Sequence, residues 1–374
     1  MSSTRVRAAV QVAPNQTELR EFALPEIAPD AGLLRVLAAG ICGSDIPAYA
    51  DMSRGARILG HENVGVIERL GDIARQRWGV SEGDLVALEE YLTCGHCEDC
   101  RAGEYRSCLL TDNTRAGGLR YGTTGIDVAP ALWGGYGEFV YLHPRTVLHR
   151  VPPGVQPRLA AMALPIGNGF QWAYLDGGAG PGQTVVIQGP GQQGLACAVA
   201  AKAAGAQMVI VAGLARDEHR LSVATRLGAD RVVAVDRESL SDVVTEVTGG
   251  ALADLVIDVS SGSARDVING ALPLLRKRGK LLVAAYKRKP VDGFAIDAVI
   301  AGQLTVRGVR GHSFRAVELA LRLMAQHTVD LEEMSTHEFG LDGVDRALRL
   351  AGGEPQDNAI HVTVAPWRQG SADA

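Results

Sequence analysis

Two patterns of apolar and polar positions divide the chain. Before residue 150, short β-type runs are separated by Gly, Pro and Asp: "RVRAAVQV", "LLRVLAAGI", "ENVGVIERLG", "DLVALEEY" and "GEFVYLH". Their irregular spacing predicts a barrel-like or meandering β domain rather than βαβ units. The pattern changes after "HRVPPGV" at 149–155. From 184 onward, apolar runs alternate with small-residue or amphipathic helical stretches. The runs are "TVVIQ" (184–188), "QMVIVAG" (207–213), "RVVAVD" (231–236), "DLVIDVS" (254–260) and "GKLLVAAY" (279–286). Such alternation predicts a parallel sheet covered by helices on both faces. "LTVRGVRG" (304–311) reads as one more strand, "FRAVELALRLMAQH" (314–327) as a helix, and "NAIHVTVAP" (358–366) as a last strand. The tail "WRQGSADA" is expected to fray.

A chain of 374 residues suits two domains. It holds 45 glycines, well above the usual share of about 7%, as in folds with many tight turns and close backbone approaches. The net charge is −5 and no Lys/Arg run exceeds three residues, which argues against a nucleic-acid partner. The opening residues lack the apolar stretch of a signal peptide, and no run is long enough for a membrane helix. A cytoplasmic protein with no membrane partner is expected. Six cysteines are too few for a disulfide scaffold in a chain this long, and four of them fall within 94–108. Clustered cysteines in a reducing compartment point to metal.

After "TVVIQ" comes "GPGQQG". Gly189, Gly191 and Gly194 fit G-x-G-x-x-G, with Gln192 and Gln193 between, at a strand-to-helix turn. The first glycine makes the turn, the second lets a pyrophosphate approach the backbone, and the third lets helix pack on strand. The helix N-terminus then faces the phosphates. The next strand ends at Gly213 rather than at the acidic residue that grips the ribose hydroxyls of NAD. Arg216 follows, which favours the 2′-phosphate of NADP(H); Asp217 and Glu218 stand close by and keep NAD open.

Cys94, Cys97, Cys100 and Cys108 follow C-x2-C-x2-C-x7-C. Four thiolates close a tetrahedral shell around zinc and leave no open position, so such a site is structural. His96 is expected to point outward, because four sulfurs already complete the shell. Chemistry then needs another site. "GICGSD" (40–45) offers Cys42, and "GHENVG" (60–65) offers His61 and Glu62. One thiolate, one imidazole and one carboxylate make a zinc set with a position left for an alcohol or carbonyl oxygen.

In order and spacing, "GICGSD", "GHE", the four-cysteine lobe and "GPGQQG" resemble the zinc-dependent medium-chain dehydrogenases/reductases, the alcohol and polyol dehydrogenase superfamily. The resemblance spans nearly the whole chain. It implies a GroES-like catalytic domain from both chain ends (1–156 and 313–374) and an inserted Rossmann domain (157–312). It implies two zincs per chain, one catalytic and one structural, and a NAD(P)-dependent alcohol dehydrogenase. Cys42 and His61 match catalytic-zinc ligands, and Glu62 matches a carboxylate that can bind zinc directly. At the remaining ligand position stands Leu164, which cannot bind metal, with Asn168 an out-of-register alternative. Ser44 matches the family's proton relay, and Asp45 is expected to orient His61. Pro47 replaces the histidine that many relatives use to pass the proton outward. "LTVRGVRG" resembles the edge strand through which such proteins dimerise, so a homodimer or tetramer is expected.

Zinc would act as a Lewis acid on the alcohol or carbonyl oxygen. A secondary or cyclic alcohol and its ketone are the favoured substrate pair, because Leu164 makes the site less polar than a polyol enzyme's. Trp133, Trp172 and Tyr49 can line an apolar pocket or simply pack in the core. A polyol or sugar dehydrogenase, and a nucleotide-binding relative that has lost the chemistry, remain the alternatives.

Overall fold

The computed structural model describes residues 5–111, 118–288, 290–353 and 358–368; residues 369–374 of the tail lie outside them. The chain divides into two compact units, Met1–Leu164 with Ser335–Ala374, and Pro165–Met334. Both boundaries fall later in the chain than 156 and 312. The second does so because helix Phe314–Gln326 packs on the helical segment Phe170–Asp176 within the second unit. Its capping residue Ser313 donates to the Gln171 side-chain oxygen (2.8 Å), and Trp172 Nε1 donates to the Gly311 carbonyl (3.0 Å).

The first unit is built on a mostly antiparallel sheet. Its order runs Ser335–Phe339, His361–Val364, Gly32–Gly40, Glu62–Leu70, Leu85–Leu88, Leu148–Arg150, with Phe139–Leu142 also pairing with Gly32–Gly40. The returning strand His361–Val364 therefore sits inside the sheet, antiparallel to Gly32–Gly40 and parallel to Ser335–Phe339. A smaller antiparallel sheet joins Gln16–Ala23, Arg5–Ala13 and Arg57–Ile58. Leu33, Leu34, Val36, Val86, Leu88 and Val140 fill the core between them.

The second unit carries six parallel strands: β1 (Thr184–Gln188), β2 (Met208–Gly213), β3 (Arg231–Ala234), β4 (Ala253–Asp258), β5 (Leu275–Val283) and β6 (Thr305–Gly308). Their order is β3-β2-β1-β4-β5-β6. This is the doubly wound arrangement of dinucleotide-binding domains, with the switch point beside β1. Val185, Val186 and Ile187 of β1 are buried on both faces, which explains the unbroken apolar run in the sequence. β6 is an edge strand, exposed along its length. Among the described residues, no helix is long and apolar enough to cross a membrane.

Candidate active site and metal centres

Cys42 follows the strand Gly32–Gly40, and His61 directly precedes the neighbouring strand, which Glu62 begins, with Gly40 opposite Glu62 in register. That pairing brings one donor atom from each of Cys42, His61 and Glu62 within 4.8 Å of the others. The short helix Asp45–Ala50 holds the cysteine loop in place. Its end is pinned by the buried Arg57, whose guanidinium donates to the Ala48 carbonyl (2.7 Å) and to the Gln11 side chain (3.0 Å). Asp45 is fixed through both carboxylate oxygens. One accepts from the Cys42 N–H (3.0 Å) and the Tyr136 hydroxyl (3.0 Å), and the other lies 3.3 Å from His61 Nδ1. That contact leaves His61 Nε2 for a ligand.

Burial, then the charge of Glu62, pushes the Cys42 thiol up from its ordinary range. Burial acts to lower His61, but Asp45 and then Glu90 outweigh it and hold the imidazole well above its usual value. Two acidic donors crowded beside a histidine fit a divalent cation, which supplies the compensating charge and releases the ligand protons. Glu62 Oε2 is buried with no hydrogen-bond partner among the described residues, as expected of a carboxylate that serves a metal set.

Ser44 caps the helix Asp45–Ala50 without a side-chain capping bond, and it is exposed, so its hydroxyl is not consumed by the turn. Pro47 lies in that helix. Leu164 is buried as an apolar core residue. Asn168 is in the second unit, with its side-chain oxygen 2.9 Å from His312 Nδ1. The three aromatic candidates pack in cores. Trp133 is 1% exposed, donates to the Val128 carbonyl (2.7 Å) and lies against Tyr121, Tyr141 and His143. The Tyr49 hydroxyl donates to Asp345 (2.6 Å), and Trp172 is held by Gly311.

Two charged residues beside this set escaped the sequence reading. Glu90 Oε2 lies 3.8 Å from His61 Nε2 and is ion-paired with the buried Arg120, whose Nε donates to it at 3.0 Å. Arg120 also lies over the Tyr91 ring, 4.8 Å from its centroid. The only signal was a pair of glutamates directly before the cysteine lobe, a pattern that ordinarily marks a solvated surface.

The lobe itself brings Cys94, Cys97, Cys100 and Cys108 together, all their sulfurs within 4.8 Å and none in a disulfide. Cys94 Sγ and Cys100 Sγ are 3.8 Å apart. A tetrahedron with metal–sulfur bonds of about 2.3 Å has edges of about 3.8 Å. The N–H groups of Cys97, Cys100 and Cys94 point at the sulfurs of Cys94 (3.3 Å), Cys97 (3.4 Å) and Cys108 (3.4 Å). Backbone donors, from His96 first, bring the Cys94 thiol down to about 6, while burial takes Cys100 up to about 12. His96 is exposed and its Nδ1 lies on the Cys94 carbonyl (2.9 Å), turned away from the sulfurs.

In the second unit the glycine turn joins β1 to helix Gln192–Ala203. Gly189 has φ +111°, where a side chain is strained, and a Cβ on Gly194 would come 1.8 Å from the Gly189 carbonyl oxygen. Gly191 caps the helix with no side-chain hydrogen bond. Gln192 Nε2 and Gln193 Oε1 are buried without a partner among the described residues. Uncapped N–H groups and orphaned amides at a glycine cradle suit a pyrophosphate. At the end of β2, a Cβ on Gly213 would meet the Pro190 ring at 2.7 Å, so no longer side chain fits there. Asp217 accepts from the Leu214 N–H (3.0 Å), which commits its carboxylate to the turn. Arg216 and Glu218 are exposed.

Known proteins share this architecture. The alcohol dehydrogenase GroES-like domain matches residues 28–153, and the zinc-binding dehydrogenase family matches residues 194–326. A Mycobacterium tuberculosis protein named "Probable alcohol dehydrogenase" is 38% identical over 371 residues, covering 96% of this chain and 98% of its own. The L-threonine 3-dehydrogenase of Bacillus subtilis is 30% identical, covering 89% of this chain and 91% of its own. An alcohol dehydrogenase structure from Thermotoga maritima superposes with a TM-score of 0.84 at 25% identity, covering 97% of this chain and 100% of that one. With the glycine turn, the four-cysteine lobe and the fold, these likenesses make the chain a member of the zinc-dependent medium-chain dehydrogenases/reductases, an oxidoreductase of the alcohol and polyol dehydrogenase family.

Proposed function

We propose that the protein is a zinc-dependent, NADP(H)-using dehydrogenase that interconverts a secondary or cyclic alcohol and its ketone. The observation that carries this reading is the convergence of Cys42, His61 and Glu62 donors within 4.8 Å, in a largely buried setting with, among the described residues, no fourth protein ligand in the group. Zinc held there supplies a Lewis acid that lowers the pKa of an alcohol, and the nicotinamide supplies the hydride acceptor. Asp45 holds His61 in the tautomer that presents Nε2. Ser44 takes the alcohol proton through its hydroxyl. Pro47 cannot relay a proton, so the proton would have to leave by way of water, a bound cofactor or another group. The turn at Gly189, Gly191 and Gly194, with Gln192 and Gln193, binds the pyrophosphate. The absent carboxylate at Gly213, the engaged Asp217 and the exposed Arg216 support the 2′-phosphate.

A polyhydroxylated substrate is the second reading. The Glu90–Arg120 pair, 3.8 Å from His61 Nε2, makes one side of the metal set polar. We infer further that the lobe carries a second, structural zinc. The exposed edge β6 supports a homodimer or tetramer, and six free thiols suit a cytoplasmic setting.

The test is zinc analysis with a panel of alcohols, polyols and ketones, run with NAD(H) and NADP(H) in parallel. The expected result is two zincs per chain and turnover on secondary alcohols with NADP. Cys42→Ala is expected to keep the lobe zinc and the fold and to lose turnover. A Cys42→Ala protein that still oxidises the substrate sinks the mechanism.

A further inference from the structure

Glu62 carries more weight here than a neighbouring carboxylate usually does, because Leu164 gives the metal set no further ligand. A buried histidine stands close enough to hold it. His361, on the central strand His361–Val364, is fully buried, and its Nε2 lies 3.7 Å from Glu62 Oε2. Both of these atoms are buried and neither has a hydrogen-bond partner among the described residues. They face each other across Gly40, where a Cβ would come 2.5 Å from Glu62 Oε2 and 2.6 Å from His361 Nε2. The absence of a side chain at Gly40 is what lets the two approach. On its other side, His361 Nδ1 lies 3.4 Å from the Thr363 hydroxyl. A hydroxyl donating to Nδ1 leaves the imidazole proton on Nε2, aimed at the carboxylate. Two unpaired buried polar groups at this separation are each costly to leave unmade. Closing the gap by less than about 1 Å makes an ordinary hydrogen bond.

We propose that His361 is a positioning residue for the catalytic metal: its Nε2–H binds one oxygen of Glu62 and fixes the other toward Cys42 and His61. The inference rests on the zinc reading of that set. Outer hydrogen-bond partners of this kind change metal affinity by about 10–100-fold.

The experiment compares the wild type with His361→Leu, which removes the donor, and His361→Gln, whose amide restores one near Nε2. Each is titrated with a zinc chelator, and zinc release is read in two phases, lobe and catalytic. The expected result is a catalytic-site zinc affinity about 10-fold or more weaker in His361→Leu, largely restored in His361→Gln, with the lobe zinc unchanged. In a Glu62→Gln background the effect of His361→Leu should shrink to near nothing. A His361→Leu protein that holds its catalytic zinc like the wild type overturns this inference alone. So does an undiminished effect in the Glu62→Gln background. A wild type that binds only the lobe zinc overturns the zinc reading and this inference together. If His361→Leu does not fold, His361→Ala, which removes the same donor, is titrated in its place, alone and in the Glu62→Gln background.

Discussion

The second glycine of the turn separates binding from stability more cleanly than any other residue of the nucleotide site. Gly191 has φ −72°, which any L residue adopts, and a Cβ there meets nothing within 4 Å. Gly191→Ala therefore leaves the fold intact and even removes chain entropy from the unfolded state, a gain of about 0.4–1 kcal/mol. A pyrophosphate must approach that backbone closely, and the added methyl stands in its path. Losing one charge-assisted hydrogen bond costs about 1.5–3 kcal/mol, a weakening of about 10- to 140-fold. Gly194→Ala is the counterpart. Its Cβ would sit 1.8 Å from the Gly189 carbonyl oxygen, where real contacts are not found under 3.0 Å, so the helix must retreat by at least the 1.2 Å difference. Overpacking of that kind destabilises by about 1–3 kcal/mol.

Fluorescence titration with NADPH and urea unfolding measure the two quantities on the same preparations. Gly191→Ala should keep or slightly raise its unfolding midpoint while its dissociation constant for NADPH rises at least about 10-fold. Gly194→Ala should lose both. A Gly191→Ala protein that binds NADPH as the wild type does refutes the assignment of the pyrophosphate to this turn.

Three other outcomes follow from buried chemistry. Cys100→Ser removes a buried sulfur from the lobe, so the protein should lose the zinc proposed there and be cut by protease within residues 94–108; metal analysis and limited proteolysis check this. Arg120→Met removes the guanidinium paired with the buried Glu90 and should destabilise the first unit by about 3–5 kcal/mol, read by denaturant titration. Burial, then the charge of Arg145, brings His143 down to about 4, and its Nδ1 accepts the Arg145 N–H (3.1 Å). A histidine lowered in the folded state contributes stability above its unfolded value of about 6.5 and loses it as pH falls toward 4. Unfolding midpoints should therefore drop between pH 6.5 and 4, and His143→Phe should flatten that slope.

Which features could be read from the sequence follows from how local their physics is. β1 was legible because "TVVIQ" is buried on both faces and needs no partner to explain its apolar run. The glycine turn and the lobe were legible because each is closed by residues a few positions apart. Strand Gln16–Ala23 escaped notice: its charged side chains are mostly exposed, and only its ladder with Arg5–Ala13 makes it a strand. Ser335–Phe339 is likewise half-exposed along most of its length. Helix Phe314–Gln326 was recognised as a helix but assigned to the terminal β unit, because membership of a unit depends on packing against Phe170–Asp176 and not on the helix's own pattern. The aromatic residues were ambiguous for a related reason. Large apolar side chains fit a core as well as a binding wall, and Trp133 and Tyr49 turned out to be core.

The two metal sets differ in the same way, and this bears on what each can do. The lobe sulfurs come from one stretch of chain and are served by the N–H groups of that stretch, so with the proposed zinc bound its order would depend on that metal. Cys42, His61 and Glu62 are instead held by Asp45, Tyr136, Arg57 and the sheet register, none of which needs a metal to persist. Such a set keeps its geometry when a ligand position changes occupant. That is the requirement for a site where substrate enters and leaves, and a loop stapled by its own metal does not meet it. On the proposed reading, cysteine density marks the staple, while distant support marks the chemistry. Other residues beside this set, Glu90, Arg120 and His361, are ones no local motif could announce: Arg120 lies 30 positions from Glu90, and His361 comes within 3.7 Å of Glu62 from the opposite end of the chain.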